Sequence, residues 1–170
     1  MLFACGRRRQ RGQALVELTI LAPLLIVLGL GATDFGRVFG LNEAINGAAR
    51  EAARQAAYYD YATGTNPDYS SDSAILAVAQ QELGSTTGAK LKAAPAADPL
   101  ACSTSSPPGK DYPTAGDAGY LYVCRTTGSD GRNHVTVAIL WRTSLITPIG
   151  SVTGTPLLHG TVDATEEQSA

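Results

Sequence analysis

The sequence predicts an α+β protein: a long N-terminal transmembrane helix continuing into an extracytoplasmic domain that carries a small antiparallel sheet. Three observations predict it. Residues 13–32, QALVELTILAPLLIVLGLGA, form an apolar run whose one ionisable group is Glu17. A stripe of apolar and small residues then carries a helical period on to Ala56. The last third of the chain holds alternating Val, Thr, Ile and aromatic segments separated by Gly, Pro and Asn.

A chain of 170 residues accommodates one compact domain and an anchor. The expected division is a basic cytoplasmic leader at 1–12, a transmembrane helix at 13–33 and an extracytoplasmic α+β domain at 34–170. Charge supports this division. Of the 13 basic residues, Arg7, Arg8, Arg9 and Arg11 precede the apolar run, which leaves nine against 15 acids and a charge of −6 from Gln13 onward. An acidic body has no electrostatic footprint for nucleic acid, so none is expected as a partner.

Twenty apolar residues span about 30 Å as a helix, the thickness of a bilayer core. The preceding arginines favour a cytoplasmic N-terminus and send everything after Ala32 across the inner or cytoplasmic membrane. Pro23, Gly29 and Gly31 are compatible with this, because transmembrane helices tolerate both residue types. A cleavable secretory signal competes with the anchor, since Gly29-Leu30-Gly31 presents small residues after an apolar core. Glu17 separates the two readings: a carboxylate in a hydrocarbon helix is costly unless protonated, paired or near the interface, and marks function by default. Its bland alternative is a side chain one turn in that reaches the headgroups.

Beyond the membrane, Phe35, Val38, Phe39, Ile45, Ala49, Ala52, Ala53 and Ala56 continue the helix. Its small-faced second half lets another element approach closely, with Arg50 and Arg54 read as solvated. Tyr58, Tyr59 and Tyr61 close it as a cap over the core. A second helix is expected from Asp72 to Leu83, ended by Gly84. From Ser85 to Gly119 the composition is that of a loop, with one short edge strand near Lys90–Ala93. Strands Tyr120–Thr127 and His134–Leu145 form a hairpin, and Leu157–Thr165 adds a third strand. The tail from Glu166 is polar.

Cys5 lies in the leader, which leaves Cys102 and Cys124 to pair in an oxidising compartment; two unrelated thiols are the alternative. Trp141 reads as core, and His134 and His159 lack metal-ligand spacing. No paired carboxylates, phosphate loop or nucleophile context is recognisable, so neither an enzyme nor a cofactor is expected.

The order Gly12-Gln13-Ala14-Leu15-Val16-Glu17, between a basic leader and an apolar helix, resembles the cleavage motif of prepilins. The resemblance extends over RGQALVELTILAPLLIVLGLGATDFGRVF, which is similar to the opening of the TadE-like family of tight-adherence pilus assembly proteins. The features that carry it are the Arg-Gly-Gln-Ala opening, Glu17, Pro23 and Asp34-Phe35-Gly36-Arg37. One departure is Leu18, where prepilins often have an aromatic residue. The resemblance implies a pilin-like architecture, cleavage by a prepilin peptidase between Gly12 and Gln13, and other pilin-like subunits and pilus assembly proteins as partners. It further implies that Glu17 guides assembly by pairing with the freed amino terminus of a neighbouring subunit. The expected function is a pseudopilin-like subunit for a tight-adherence pilus or related secretion apparatus. Its rivals are a bitopic binding module with an uncleaved signal-anchor and a secreted disulfide-bearing adhesin or enzyme.

Overall fold

The computed structural model describes residues 7–57, 72–95, 112–127, 129, 133–147 and 154–165. Its dominant element is helix α1, Arg7–Ala56, whose 50 residues run unbroken through Pro23. Over residues 12–33 its surface is exposed on nearly every side, with Leu15 at 64% and Ile20 at 70%. The threonine hydroxyls in this stretch turn back onto the helix: Thr19 donates to the Leu15 carbonyl at 2.7 Å and Thr33 to that of Gly29 at 2.9 Å. Polar groups satisfied within the helix itself are what a hydrocarbon surrounding demands. The stretch is apolar and long enough to be a candidate membrane span.

Packing begins at Asp34 and becomes continuous from Ile45, where Ala48, Ala49, Ala52, Ala53 and Ala56 are all buried. This alanine face lets α2, Asp72–Glu82, and the last two strands of the sheet lie directly against α1. From α2, Ile75 and Ala79 enter the same core, as does Leu83 just beyond the helix. Gly84, at φ +77°, ends α2 in the left-handed conformation that glycine adopts without steric cost. A single helical turn, α3 at Gly84–Gly88, follows.

The sheet has the order β1-β2-β3-β4, with β1 at Leu91–Ala93, β2 at Ala118–Thr127, β3 at Asn133–Arg142 and β4 at Leu157–Thr165. Pairs β2–β3 and β3–β4 are antiparallel and set Val137 between Val123 and Val162. The inward face, Leu121, Val135, Val137, Ile139 and Trp141, packs on α1. The opposite face carries a smaller cluster of Tyr122, Ala138 and Leu140 under Tyr112. Sheet and helix therefore enclose one main core, with a smaller cluster on part of the sheet's outer face.

Three expectations need correction. The sheet is mixed and not purely antiparallel, because β1 pairs with β2 in parallel; the connection between them is long enough for the crossover such a pairing requires. Residues Ser85–Gly88 are helical instead of loop, and β3 ends at Arg142, short of Leu145. The expected second helix, edge strand, hairpin and final strand are present, whereas Tyr58, Tyr59, Tyr61, Cys102 and the tail from Glu166 lie outside the described residues.

Gly119 on β2 faces Trp141 across the ladder, and a Cβ there would sit 2.3 Å from the indole Cε3. Gly119→Ala is therefore expected to destabilise the domain by about 1–3 kcal/mol through overpacking. Denaturant titration of the full chain in micelles, followed by the emission of its one tryptophan, checks this; an unchanged midpoint would contradict the packing described.

Candidate functional site

Three features of α1 and its surroundings concern function. The first is the N-terminal turn of the apolar rod. Gln13 and Glu17 stand one turn apart on the same exposed face, and the Gln13 Nε2–H donates to Glu17 Oε1 at 3.2 Å. Gly12 is exposed, and a Cβ there would meet nothing within 4 Å. The Gly12–Gln13 bond lies inside α1 and not in an extended segment. A peptidase that needs extended substrate must unwind this turn, and glycine makes that less costly by about 1 kcal/mol relative to alanine.

The second feature is the junction where the rod meets the domain. Asp34, immediately after the apolar run, is 5% exposed. Its Oδ1 accepts the Ile146 N–H at 3.0 Å and its Oδ2 the Thr147 N–H at 2.9 Å. The Thr147 hydroxyl adds a further bond, Arg37 approaches to 4.0 Å, and together these hold the Asp34 carboxyl below its ordinary 3.8 despite burial. A second carboxylate holds the other end of the same loop. Asp117 Oδ1 accepts the Thr143 hydroxyl and the Ser144 N–H, each at 3.1 Å, while Oδ2 accepts the Ser144 hydroxyl at 2.5 Å. Burial pushes Asp117 up, but the Ser144 and Thr143 bonds and the charge of Lys90 outweigh it, so its net displacement is downward. These bonds also hold its backbone at φ +53°, a conformation Asp tolerates better than most residues.

The loop that the two carboxylates secure, residues 143–147, points Ile146 into solvent at 64% exposure. On α1 nearby, Phe35 and Phe39 stack with ring centroids 6.3 Å apart and are also exposed. The third feature is a cavity of about 330 Å³ beside this junction, bordered by Arg37, Lys90, Asp117 and Trp141 among others.

Among the residues singled out from sequence, the structure brings Gln13 and Glu17 together and buries Trp141 to 1% exposure. Arg54 is exposed and paired with Glu51 at one helical turn, in keeping with the solvated reading. His134 stands 3.5 Å from Asp163 across the β3–β4 ladder. Cys124 is half-buried on β2, while Cys102 lies outside the described residues. Sequence reasoning missed the roles of Asp34 and Asp117. The available signal for Asp34 was its place at the end of the apolar run, where a carboxylate needs donors.

Residues 12–54 fit the family model described as TadE-like protein, a span that runs from the Gly12 turn through Asp34 to the alanine face. Neither a curated protein nor a solved structure matches the chain.

Asp34→Asn keeps the size of the side chain but puts an amide where two N–H groups converge. It is expected to lower the thermal midpoint of the domain by several degrees. Because the folded carboxyl titrates below its ordinary 3.8, its contribution is complete above that pH and is lost as the pH falls through the lower folded value. Parent protein should therefore lose stability in that acidic window by more than Asp34→Asn does. Parallel acid-dependence in both would remove Asp34 from the account.

Proposed function

We propose that this chain, with its TadE-like segment over residues 12–54, is a membrane-anchored, pseudopilin-like subunit that takes part in assembling a tight-adherence pilus or a related secretion apparatus. The observation that carries the reading is the rod itself: an unbroken helix, apolar and exposed over residues 12–33, with Gln13 and Glu17 on one face of its first apolar turn. The family implies tight-adherence pilus assembly, and the physical form suits it. A helix that is apolar all round is stable only inside a bilayer or among similar helices. An assembling subunit needs both environments in turn.

In this reading the arginines at 7–11 stay cytoplasmic, residues 13–33 cross the membrane and the α+β domain lies outside it, in the periplasm or at the cell exterior. A prepilin peptidase cuts between Gly12 and Gln13. The new amino terminus remains at the membrane boundary, and Glu17 of a neighbouring subunit pairs with it; opposite charges at low dielectric attract strongly, which selects correctly registered helices. The single turn between Gln13 and Glu17 places the carboxylate near the bilayer edge, where ionisation costs less than at its centre. Cys102 and Cys124 pair in the external compartment and contribute roughly 3 kcal/mol by closing the intervening loop. No chemical step is assigned to the chain.

N-terminal sequencing and intact mass of protein from membranes of cells with and without their prepilin peptidase test this. Peptidase-dependent protein beginning at Gln13 is the expected result, and alkylation before and after reduction on the same sample reads the Cys102–Cys124 pair. Glu17→Ala is expected to be processed normally yet to be lost from assembled complexes. Protein starting at Met1 in both strains would favour an anchored module without assembly processing, and a start near Ala32 would mean secretion.

A further inference from the structure

The assembly role leaves the cavity beside the junction unused. It lies between α1, the turn joining α3 to β1, and the ends of β2 and β3 nearest Asp34. Leu41, Leu83 and Trp141 give it apolar walls, and Arg37 and Lys90 bring two cations to it. Arg37 acts on Asp34 and Lys90 on Asp117, carboxylates already engaged by hydrogen bonds, and neither cation is held in an ion pair closer than 4.0 Å among the described residues. The Arg37 guanidinium, 46% exposed, comes no nearer to Asp34 than 4.0 Å. Among the described residues the Lys90 side chain makes no hydrogen bond. Asp117 also borders the space, but Thr143 and Ser144 already occupy its carboxylate.

An independent observation concerns Trp141. Its Nε1–H is buried and has no acceptor among the described residues. Buried donors are nearly always satisfied, and leaving one unmet costs its full desolvation. The cavity thus sets two cations beside apolar walls, and its one carboxylate, Asp117, is already engaged by Thr143 and Ser144. That combination suits an anionic head on an amphiphilic molecule.

Its position identifies the source. At about 1.5 Å per residue, Arg37 stands roughly 5 Å beyond Asp34 along α1 and Leu41 roughly 10 Å. The headgroup layer on each side of a bilayer core is about 5–7 Å thick. With residues 13–33 in the core, Arg37 falls within that layer and the cavity opens along its outer edge. Exposed Phe35, Phe39 and Ile146 surround the same level, where apolar side chains can rest in the interface.

The geometry points to this cavity as a binding site for the phosphate headgroup of an anionic membrane phospholipid, with Arg37 and Lys90 pairing with the phosphate and Trp141 lining the site. This rests on the membrane-spanning reading of α1. Lipid bound here would fix the domain's height and tilt over the bilayer before assembly, and would be released as the subunit leaves the membrane.

Trp141 is the one tryptophan of the chain, so its emission reports on the cavity directly. Full-length protein is placed in phosphatidylcholine nanodiscs with increasing phosphatidylglycerol. A saturable change in Trp141 emission is expected. Combining Arg37→Gln with Lys90→Gln should weaken the response about tenfold or more, as for loss of charge-assisted hydrogen bonds. Lys92→Gln, an exposed charge on β1 outside the cavity, should leave it unchanged. A loss in that control as large as in the double variant would mean surface attraction alone and overturn the site. Inorganic phosphate that reproduces the change without phosphatidylglycerol would overturn the lipid assignment in favour of free phosphate. Protein that co-elutes with nanodiscs but shows no emission change overturns the proposal alone, whereas protein that does not co-elute overturns the membrane reading and this proposal with it.

Discussion

The carboxylate of Asp34 decides how the two halves of this molecule relate. It accepts backbone N–H groups from residues 112 and 113 positions later in the chain, and it does so at the first position beyond the apolar run. Continuous core packing begins only at Ile45, about three turns further along α1. Without Asp34 those turns would keep only partial packing, with Leu41 against the core. With it, the loop after β3 is drawn down to the end of the apolar segment, and force or tilt on the helix passes directly to the sheet. Asp117 secures the same loop from the β2 side, so the junction is held at two points.

Along α1 the composition changes with the surroundings it meets. Leu, Ile and Val cover all faces of the first half, which has no protein neighbour among the described residues, while alanines line the second half where α2 and the sheet press against it. One helix therefore presents two kinds of surface with a single charged group to mark the change. The family match ends at residue 54, and so describes the rod and its junction and not the sheet.

Local patterns in the sequence were enough to show the elements whose cause is local. The apolar run, the alanine stripe, α2 before Gly84 and the Val-rich hairpin each follow from periodicity and turn residues within a short window. The features that were illegible depend on distant partners. Three residues of β1 carry no information about which strand they join or in which direction, and the parallel pairing with β2 emerges only from the path of the chain. Asp34 and Asp117 look like ordinary acids until the loop at 143–147 arrives beside them. Tyr112 lay in a stretch whose composition reads as loop, yet it covers the outer face of the sheet. For the candidate site, the resemblance at the N-terminus pointed to Gly12, Gln13 and Glu17, whereas the cavity required Arg37, Lys90 and Trp141 to be brought together from three separate parts of the fold.

The central claim is that residues 13–33 are surrounded by lipid and that the surroundings change at Asp34. Spin labels placed singly at exposed positions from Ala14 to Phe39, in full-length protein reconstituted into nanodiscs, measure this through their accessibility to oxygen and to a water-soluble relaxer. The account predicts high oxygen accessibility on every face of the helix up to residue 33, with aqueous accessibility rising within the following turn. A 3.6-residue alternation of buried and aqueous positions across the same stretch would show instead a helix packed on protein with one face in water, and would contradict the anchor on which the assembly reading stands.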